Sequence, residues 1–292
     1  MRYEGAIWRP PSEARSYLLQ VTMGCAHNKC TFCSMYRDKP FRVRNKDEVV
    51  EDLYMARKAY SYIDRVFLCD GDALCLPTEV LLFIMSKIYE ILPEVKRISL
   101  YGAPKDVLRK SPEDLKKLHE AGLEFIYIGA ESGSDEILKD IQKGVNRDQI
   151  IEAVQKIENA GIKASVTFIA GLGGKEKWRE HAIETGKMIS ELGASYVSVL
   201  TLLVYEGAPL ADDIRSGKFK ILSAEEAVEE TLLMMENINI TSGKTSIFRS
   251  NHATNYVTLK GDLPQDKERF IGQLKYALKH QETFRDESYR AQ

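Results

Sequence analysis

Six short apolar or β-branched runs constrain this chain more than any other feature. They are 16–22 (SYLLQVT), 64–69 (DRVFLC), 96–101 (KRISLY), 124–129 (EFIYIG), 162–169 (IKASVTFI) and 195–204 (SYVSVLTLLV). Such near-continuous apolar character belongs to strands buried on both faces. After a longer first interval the runs recur at roughly 30 residues, the size of one βαβ unit. Helices are predicted to end at Ala121-Gly122, Ala160-Gly161 and Leu192-Gly193, because glycine suits the left-handed turn beyond a helix end. Helix starts are marked by Asn45 with Glu48, by Ser111 with Pro112 and Asp114, and by Ser223 with Glu226. Strand, loop, helix, glycine, strand is the grammar of a parallel sheet with crossover helices.

Six such strands suit either a doubly wound sheet or a barrel-like array. The chain has no G-x-G-x-x-G after the first strand and no G-x-x-x-x-G-K-[ST], which weakens nucleotide-fold readings. From about residue 240 the rhythm breaks. A possible short strand (Thr245 to Phe248), a polar stretch and a helix near 265–281 are expected to form an extension packed on the main domain. The expected division is therefore 1–240 and 241–292.

Charge excludes some partners. With 41 basic and 43 acidic residues the formal net charge is −2, so no global field recruits nucleic acid or an anionic membrane. No apolar run approaches the roughly 18 residues of a spanning helix, and the N-terminus does not read as a signal peptide. No membrane association is expected. The expected compartment is the cytoplasm, where thiols stay reduced.

In that setting the placement of five cysteines is informative. Cys25, Cys30 and Cys33 lie within nine residues, in Gly24-Cys25-Ala26-His27-Asn28-Lys29-Cys30-Thr31-Phe32-Cys33. The segment starts where the first strand ends. Three thiolates on one loop can converge on a metal centre. A structural zinc site wants four closed ligands, and no fourth stands nearby in good spacing; His27 is too close to Cys25 to fit easily. A [4Fe–4S] cube tolerates three cysteines and leaves one iron open to a small molecule.

This loop resembles that of the radical S-adenosylmethionine (radical SAM) superfamily, which usually reads C-x3-C-x2-C with an aromatic residue before the last cysteine. Phe32 stands at the aromatic position, and one extra residue separates Cys25 from Cys30. Other strand ends agree. Cys69-Asp70-Gly71-Asp72-Ala73-Leu74 takes the place of the family's glycine-glycine-glutamate segment. Gly129-Ala130-Glu131-Ser132-Gly133-Ser134 is similar to a stretch in the branch of tRNA methylthiotransferases and oxygen-independent coproporphyrinogen oxidase-like proteins. Ile141-Gln142-Lys143-Gly144 with Asn146-Arg147 resembles that branch's basic segment. Phe168 to Gly174 resembles the family's apolar-G-x-x-G turn, and Leu203 to Leu210 its P-G-T-P-L turn, with Glu206 and Ala208 as departures. The resemblance covers about residues 15–240.

It implies a partial (βα)6, TIM-like α/β barrel with its site at the strand C-termini. It implies Cys25, Cys30 and Cys33 as ligands of a [4Fe–4S] cluster. It implies S-adenosylmethionine (SAM) contacts by Phe32, Asp70, Gly71, Asp72, Glu131, Lys143 or Arg147, and Gly171. A low-potential donor such as flavodoxin or ferredoxin would deliver an electron. The radical released from SAM would abstract hydrogen from a substrate, the reaction beyond that being unreadable. No second cysteine cluster occurs, which disfavours methylthio transfer, and no cobalamin-type domain fits in the remaining residues. A different class is an iron–sulfur electron-transfer or sensing protein without SAM chemistry; a zinc-stabilised binding module is a third.

Plainer readings compete at single residues. Cys69 and Cys75 suit packing, with Cys75 as a candidate hydrogen donor or attachment point near the cavity. Tyr101 lines the cavity or sits half-buried in the core. His252, in the polar stretch Ser250 to Tyr256, is a candidate acid–base or a loop residue. The segment Arg37 to Lys46 carries five basic residues and one acid. It reads as solvated surface, or as attraction for an anionic substrate; the partner is thus a small or anionic molecule, with nucleic acid still open. His119, His181 and His280 lie in helical patterns and are expected on the surface.

Overall fold

A computed structural model of the protein describes residues 2–290. Each of the six runs forms a strand. The first, β1 (Tyr17–Gln20), is followed by β2 (Thr22–Met23), the cysteine loop, β3 (Arg42–Val43) and α1 (Lys46–Ala59). Then come β4 (Arg65–Cys69), α2 (Thr78–Ile91), β5 (Arg97–Tyr101), α3 (Pro104–Arg109), α4 (Pro112–Glu120) and β6 (Leu123–Glu131). The chain continues through α5 (Asp135–Asp140), α6 (Arg147–Asn159), β7 (Lys163–Ala170), α7 (Gly174–Leu192) and β8 (Tyr196–Thr201). It closes with α8 (Pro209–Arg215), α9 (Ala224–Glu236), β9 (Ser246–Ser250), β10 (Leu259–Leu263) and α10 (Lys267–Lys279).

Two units divide these elements. The first holds Met1–Asn28, Met35–Ile128 and Lys156–Ala164; the second holds Lys29–Ser34, Gly129–Gln155 and Ser165–Gln292. In the first, β1, β4, β5 and β6 pair in that order, all parallel, with Tyr17 opposite Val66, Arg65 opposite Arg97 and Tyr101 opposite Tyr127. Val66, Phe67, Leu68 and Cys69 are all buried, which is why β4 reads as an unbroken apolar run. In the second, β7 and β8 are parallel, β9 adds parallel to β8, and β10 closes antiparallel on β9. Residues beyond 240 therefore extend the sheet as well as supplying α10. The parallel βα class is the one expected.

The local signals act as anticipated. Asn45 and Ser111 cap α1 and α4 by accepting the N–H of Asp47 and Asp114. Ser223 and Glu226 close a reciprocal capping box on α9. Gly122, Gly161 and Gly193 all take positive φ just beyond their helices.

Candidate cofactor and substrate site

In the first unit the chemistry gathers where β4 ends. Asp70 is fully enclosed. Its Oδ2 accepts from Lys39 Nζ at 2.6 Å, from the Gly24 N–H at 3.2 Å and from Gln20 Nε2 at 3.4 Å. The Asp70 N–H donates to Thr22 Oγ1 at 3.2 Å. Lys39 also donates to the Ala6 carbonyl at 2.7 Å. A buried carboxylate needs such a cation and further donors, because removal from water otherwise drives it to neutrality. The pair ties the segment after the cysteine loop to the end of β4. Gly71 is there for space: a Cβ would lie 2.5 Å from the Tyr36 ring. The Tyr36 hydroxyl is buried, and burial with Asp70 nearby pushes its pKa up.

The basic run therefore needs correcting. Lys39 and Arg44 are buried, and Arg44 pairs with buried Asp52 at 2.7 Å. Lys39 looked solvated because its acidic partner lies 31 positions along the sequence.

Asp72 is also buried. Its Oδ1 accepts the Ala103 N–H at 3.2 Å, and its neighbour is the buried Asp106 of α3. Desolvation first, then Asp106, raises the Asp72 pKa from 3.8 to about 8. Cys75 is partly open; burial, then Asp72 and Asp106, push its thiol up to about 12. Cys69 is fully buried and its thiol is likewise pushed up, chiefly by desolvation. Tyr101 ends β5 half-buried, edge-on to Phe67 at 5.0 Å and to Tyr127 at 6.1 Å; burial raises its pKa.

The cysteine loop spans both units, with Cys25 in the first and Cys30 and Cys33 in the second. All three are partly open, and no disulfide engages any cysteine. Gly24 starts the loop at φ +70, where a Cβ would meet the Lys39 carbonyl at 2.6 Å. Asn28 donates from Nδ2 to the Tyr36 carbonyl at 2.7 Å. The Cys33 N–H turns back to the Cys30 carbonyl at 3.2 Å. Thr31 is strapped on both sides, its N–H to the Ile141 carbonyl at 3.0 Å and its carbonyl to the Leu210 N–H at 2.9 Å. Phe32, the next residue, is partly exposed. Among the described residues no group of three or more His, Cys, Asp and Glu is preassembled for a metal ion. The donor set itself, three cysteine thiols on one loop, is the chemistry an iron–sulfur cluster takes.

In the second unit Glu131 ends β6 at φ +70, a strained setting for a residue with a side chain. Its Oε1 accepts from Lys143 Nζ at 2.9 Å, both side chains being largely buried. Gly129 makes this possible, since a Cβ there would lie 1.9 Å from the same oxygen. Arg147 reaches elsewhere, to Glu191 at 2.6 Å and Asp148 at 3.5 Å. Gly171, at φ +99, donates its N–H to Glu230 Oε2 at 2.5 Å. Glu230 Oε1 lies 2.7 Å from His181 Nδ1, and His181 Nε2 lies 3.4 Å from the Glu131 carbonyl. One buried network thus joins the turns after β6 and β7. His181 is not a surface residue: α7 turns it inward, onto Glu230 of α9. His252 sits partly buried, its Nδ1 3.1 Å from Thr254 Oγ1, and burial with Arg285 nearby lowers its pKa. The polar stretch around it is anchored, as buried Asn255 bonds the Val199 carbonyl at 2.9 Å and Thr201 at 3.0 Å.

A family model described as the radical SAM superfamily matches residues 19–186, more than half of the chain. The chain belongs to the radical SAM superfamily. Its cofactors are those of that superfamily, a [4Fe–4S] cluster and SAM. It is 27% identical over 157 residues to a putative methylthiotransferase of Methanocaldococcus jannaschii, covering 52% of this chain and 34% of that protein. It is 25% identical over 282 residues to the threonylcarbamoyladenosine tRNA methylthiotransferase of Rickettsia prowazekii, covering 88% of this chain and 62% of the relative. The chain thus spans less than two thirds of the length of these relatives. Its fold matches that of methylornithine synthase with a TM-score of 0.54 at 17% identity, covering 88% of this chain and 68% of that one. Among the described residues no helix is long and apolar enough to cross a membrane.

Three residues of these networks went unforeseen. Lys39 carries no local signal. Asp106 is masked as an ordinary first-turn acid of α3. Glu230 was detectable, because Ala227, Thr231 and Met234 place it on the apolar stripe of α9.

Proposed function

We propose that Cys25, Cys30 and Cys33 hold the cluster, and that the enzyme abstracts hydrogen from a C–H bond of its substrate. The observation that carries this reading is three cysteines confined to one nine-residue loop in a chain of this superfamily. Bound there, a [4Fe–4S] cluster would supply the electron for reductive cleavage of the sulfonium C–S bond of SAM to a 5′-deoxyadenosyl radical. Lys39 and Asp70 hold the end of the loop segment against β4. Glu131 and Lys143 offer the polar groups of SAM one carboxylate and one ammonium, already paired and hence oriented. Phe32, Gly71 and Gly171 provide close apolar and backbone approach, and Asp72 a carboxyl whose burial favours its protonated form. Lys143 is the stronger candidate for the SAM carboxylate, because its ammonium lies on Glu131 at the end of β6 whereas Arg147 reaches Glu191 of α7. A small-molecule substrate is proposed, with a flavodoxin- or ferredoxin-type donor and the cytoplasm as setting.

Anaerobic reconstitution with iron and sulfide, then dithionite and SAM, tests this. Expected are about four irons per chain and SAM-dependent 5′-deoxyadenosine, both lost in Cys30→Ala. Iron without 5′-deoxyadenosine supports an electron-transfer or sensing protein instead. Zinc without iron sinks both iron–sulfur readings.

A further inference from the structure

His181 and Glu230 stand fully enclosed in the middle of α7 and α9. The two helices approach closely because Gly186 of α7 has no side chain; a Cβ there would lie 2.5 Å from the Met234 carbonyl of α9. An apolar pair would fill this interface at less cost, since polar side chains must be stripped of water to enter it. What the polar pair gains is reach to two main-chain groups at strand ends. Glu230 Oε2 accepts the Gly171 N–H at 2.5 Å, and its Oε1 lies 2.7 Å from His181 Nδ1. The far side of the imidazole, Nε2, lies 3.4 Å from the Glu131 carbonyl. The chain of contacts Gly171, Glu230, His181, Glu131 thus runs from the turn after β7 to the end of β6. Glu131 needs such a hold. At φ +70 it occupies a conformation that persists only where the surroundings fix it, and its own side chain is committed to Lys143. Helix α7 grips the same turn three times: His181 at the Glu131 carbonyl, Thr185 at the Gly133 N–H and Glu180 at the Ser134 hydroxyl.

We propose that His181 is a positioning residue for SAM: anchored by Glu230, it fixes the Glu131 main chain so that the Glu131–Lys143 pair is held ready for the polar groups of SAM, while Glu230 holds the Gly171 turn. This rests on the function proposed above, in which Glu131, Lys143 and Gly171 meet SAM. His181 acts through Glu131 rather than on the cofactor. A turn already held in its binding conformation costs SAM no ordering when it binds. The contribution of His181 therefore falls on ground-state affinity, read in Kd and KM for SAM, and not on kcat.

The test needs no knowledge of the substrate. Reconstituted enzymes are compared by equilibrium dialysis of SAM against the unreduced protein, by iron content, by unfolding midpoint without SAM, and by 5′-deoxyadenosine formation with dithionite. His181→Asn keeps an amide N–H for Glu230 but is too short to reach the Glu131 carbonyl; His181→Gln is long enough. His181→Asn should raise Kd and KM for SAM roughly tenfold or more, the scale on which loss of an orienting partner weakens a site. Its kcat should stay within about twofold and its iron content should not change. His181→Gln should recover most of the affinity. His181→Phe/Glu230→Leu exchanges the pair for apolar side chains that leave no stranded charge, so it should unfold near the wild-type midpoint and still bind SAM as weakly as His181→Asn. Wild-type affinity in either folded variant overturns the proposal, as does failure of both to fold, which would make the pair purely structural. Glu131→Gln separates the two levels. Undiminished SAM affinity there, or no SAM binding by the wild type, overturns the underlying assignment and this inference with it. Weakened affinity there beside wild-type affinity in the His181 variants overturns this inference alone.

Discussion

Lys39 and Asp70 show how much one residue type can mislead in isolation. A lysine in a run of basic residues looks solvated, yet this one is buried on a carboxylate 31 positions away. Removing one partner of a buried pair strands the other, at a cost of about 3–5 kcal/mol. Lys39→Met is expected to lose stability on that scale in anaerobic guanidinium unfolding. Lys39→Met/Asp70→Leu is expected to recover most of it, since an apolar pair leaves no stranded charge. Asp72 has a pH signature of opposite sense. Its carboxyl is raised from 3.8 to about 8, so between those values the folded state holds a proton that the unfolded chain has released. Stability therefore falls as pH rises through this window, and the full penalty stands above it. The stability gained by Asp72→Asn over wild type is expected to be larger at pH 9 than at pH 5 in urea unfolding. A difference independent of pH counts against a retained proton.

At the scale of elements, the turn between β6 and α5 depends on close approach to α7. The Gly133 N–H donates to Thr185 Oγ1 at 3.0 Å, and a Cβ on Gly133 would lie 2.3 Å from the Glu184 carbonyl. The crowding atoms, the Glu184 carbonyl and the Thr185 nitrogen, are main chain, so the backbone itself must give. Gly133→Ala is expected to cost about 1–3 kcal/mol, the range for overpacking, in the same unfolding measurement. Ser134, which caps α5 and bonds Glu180 at 2.5 Å, should shift with it. The sequence displayed this element well: Ser134 precedes a helix and Gly133 precedes Ser134. It did not display why the glycine is needed, because the crowding carbonyl comes from a helix some 50 residues on.

For the whole molecule, ligand linkage is the relevant measure. A ligand that binds only the folded state stabilises it by RT ln(1 + [L]/Kd). SAM at a hundred times its own Kd is expected to stabilise the reconstituted enzyme by about 2.7 kcal/mol, seen as a concentration-dependent rise in Tm. The same excess of SAM should leave a Cys25→Ala/Cys30→Ala/Cys33→Ala chain unmoved or nearly so. An equal rise in both would place SAM binding outside the cluster loop.

The six buried strands, the helix caps and the glycine ends were legible along the chain, as was the family to which its motifs point. These depend on short-range rules: periodicity, capping chemistry and the conformational freedom of glycine act within a few residues. The cysteine spacing belongs with them, since a loop of nine residues limits how far three thiols can separate. What tertiary structure alone decided was the partner of each buried charge. Lys39 with Asp70 and His181 with Glu230 are brought together by packing from 31 and 49 positions apart. A charge enters an interior only with a partner, and local sequence carries no record of which distant residue will supply it.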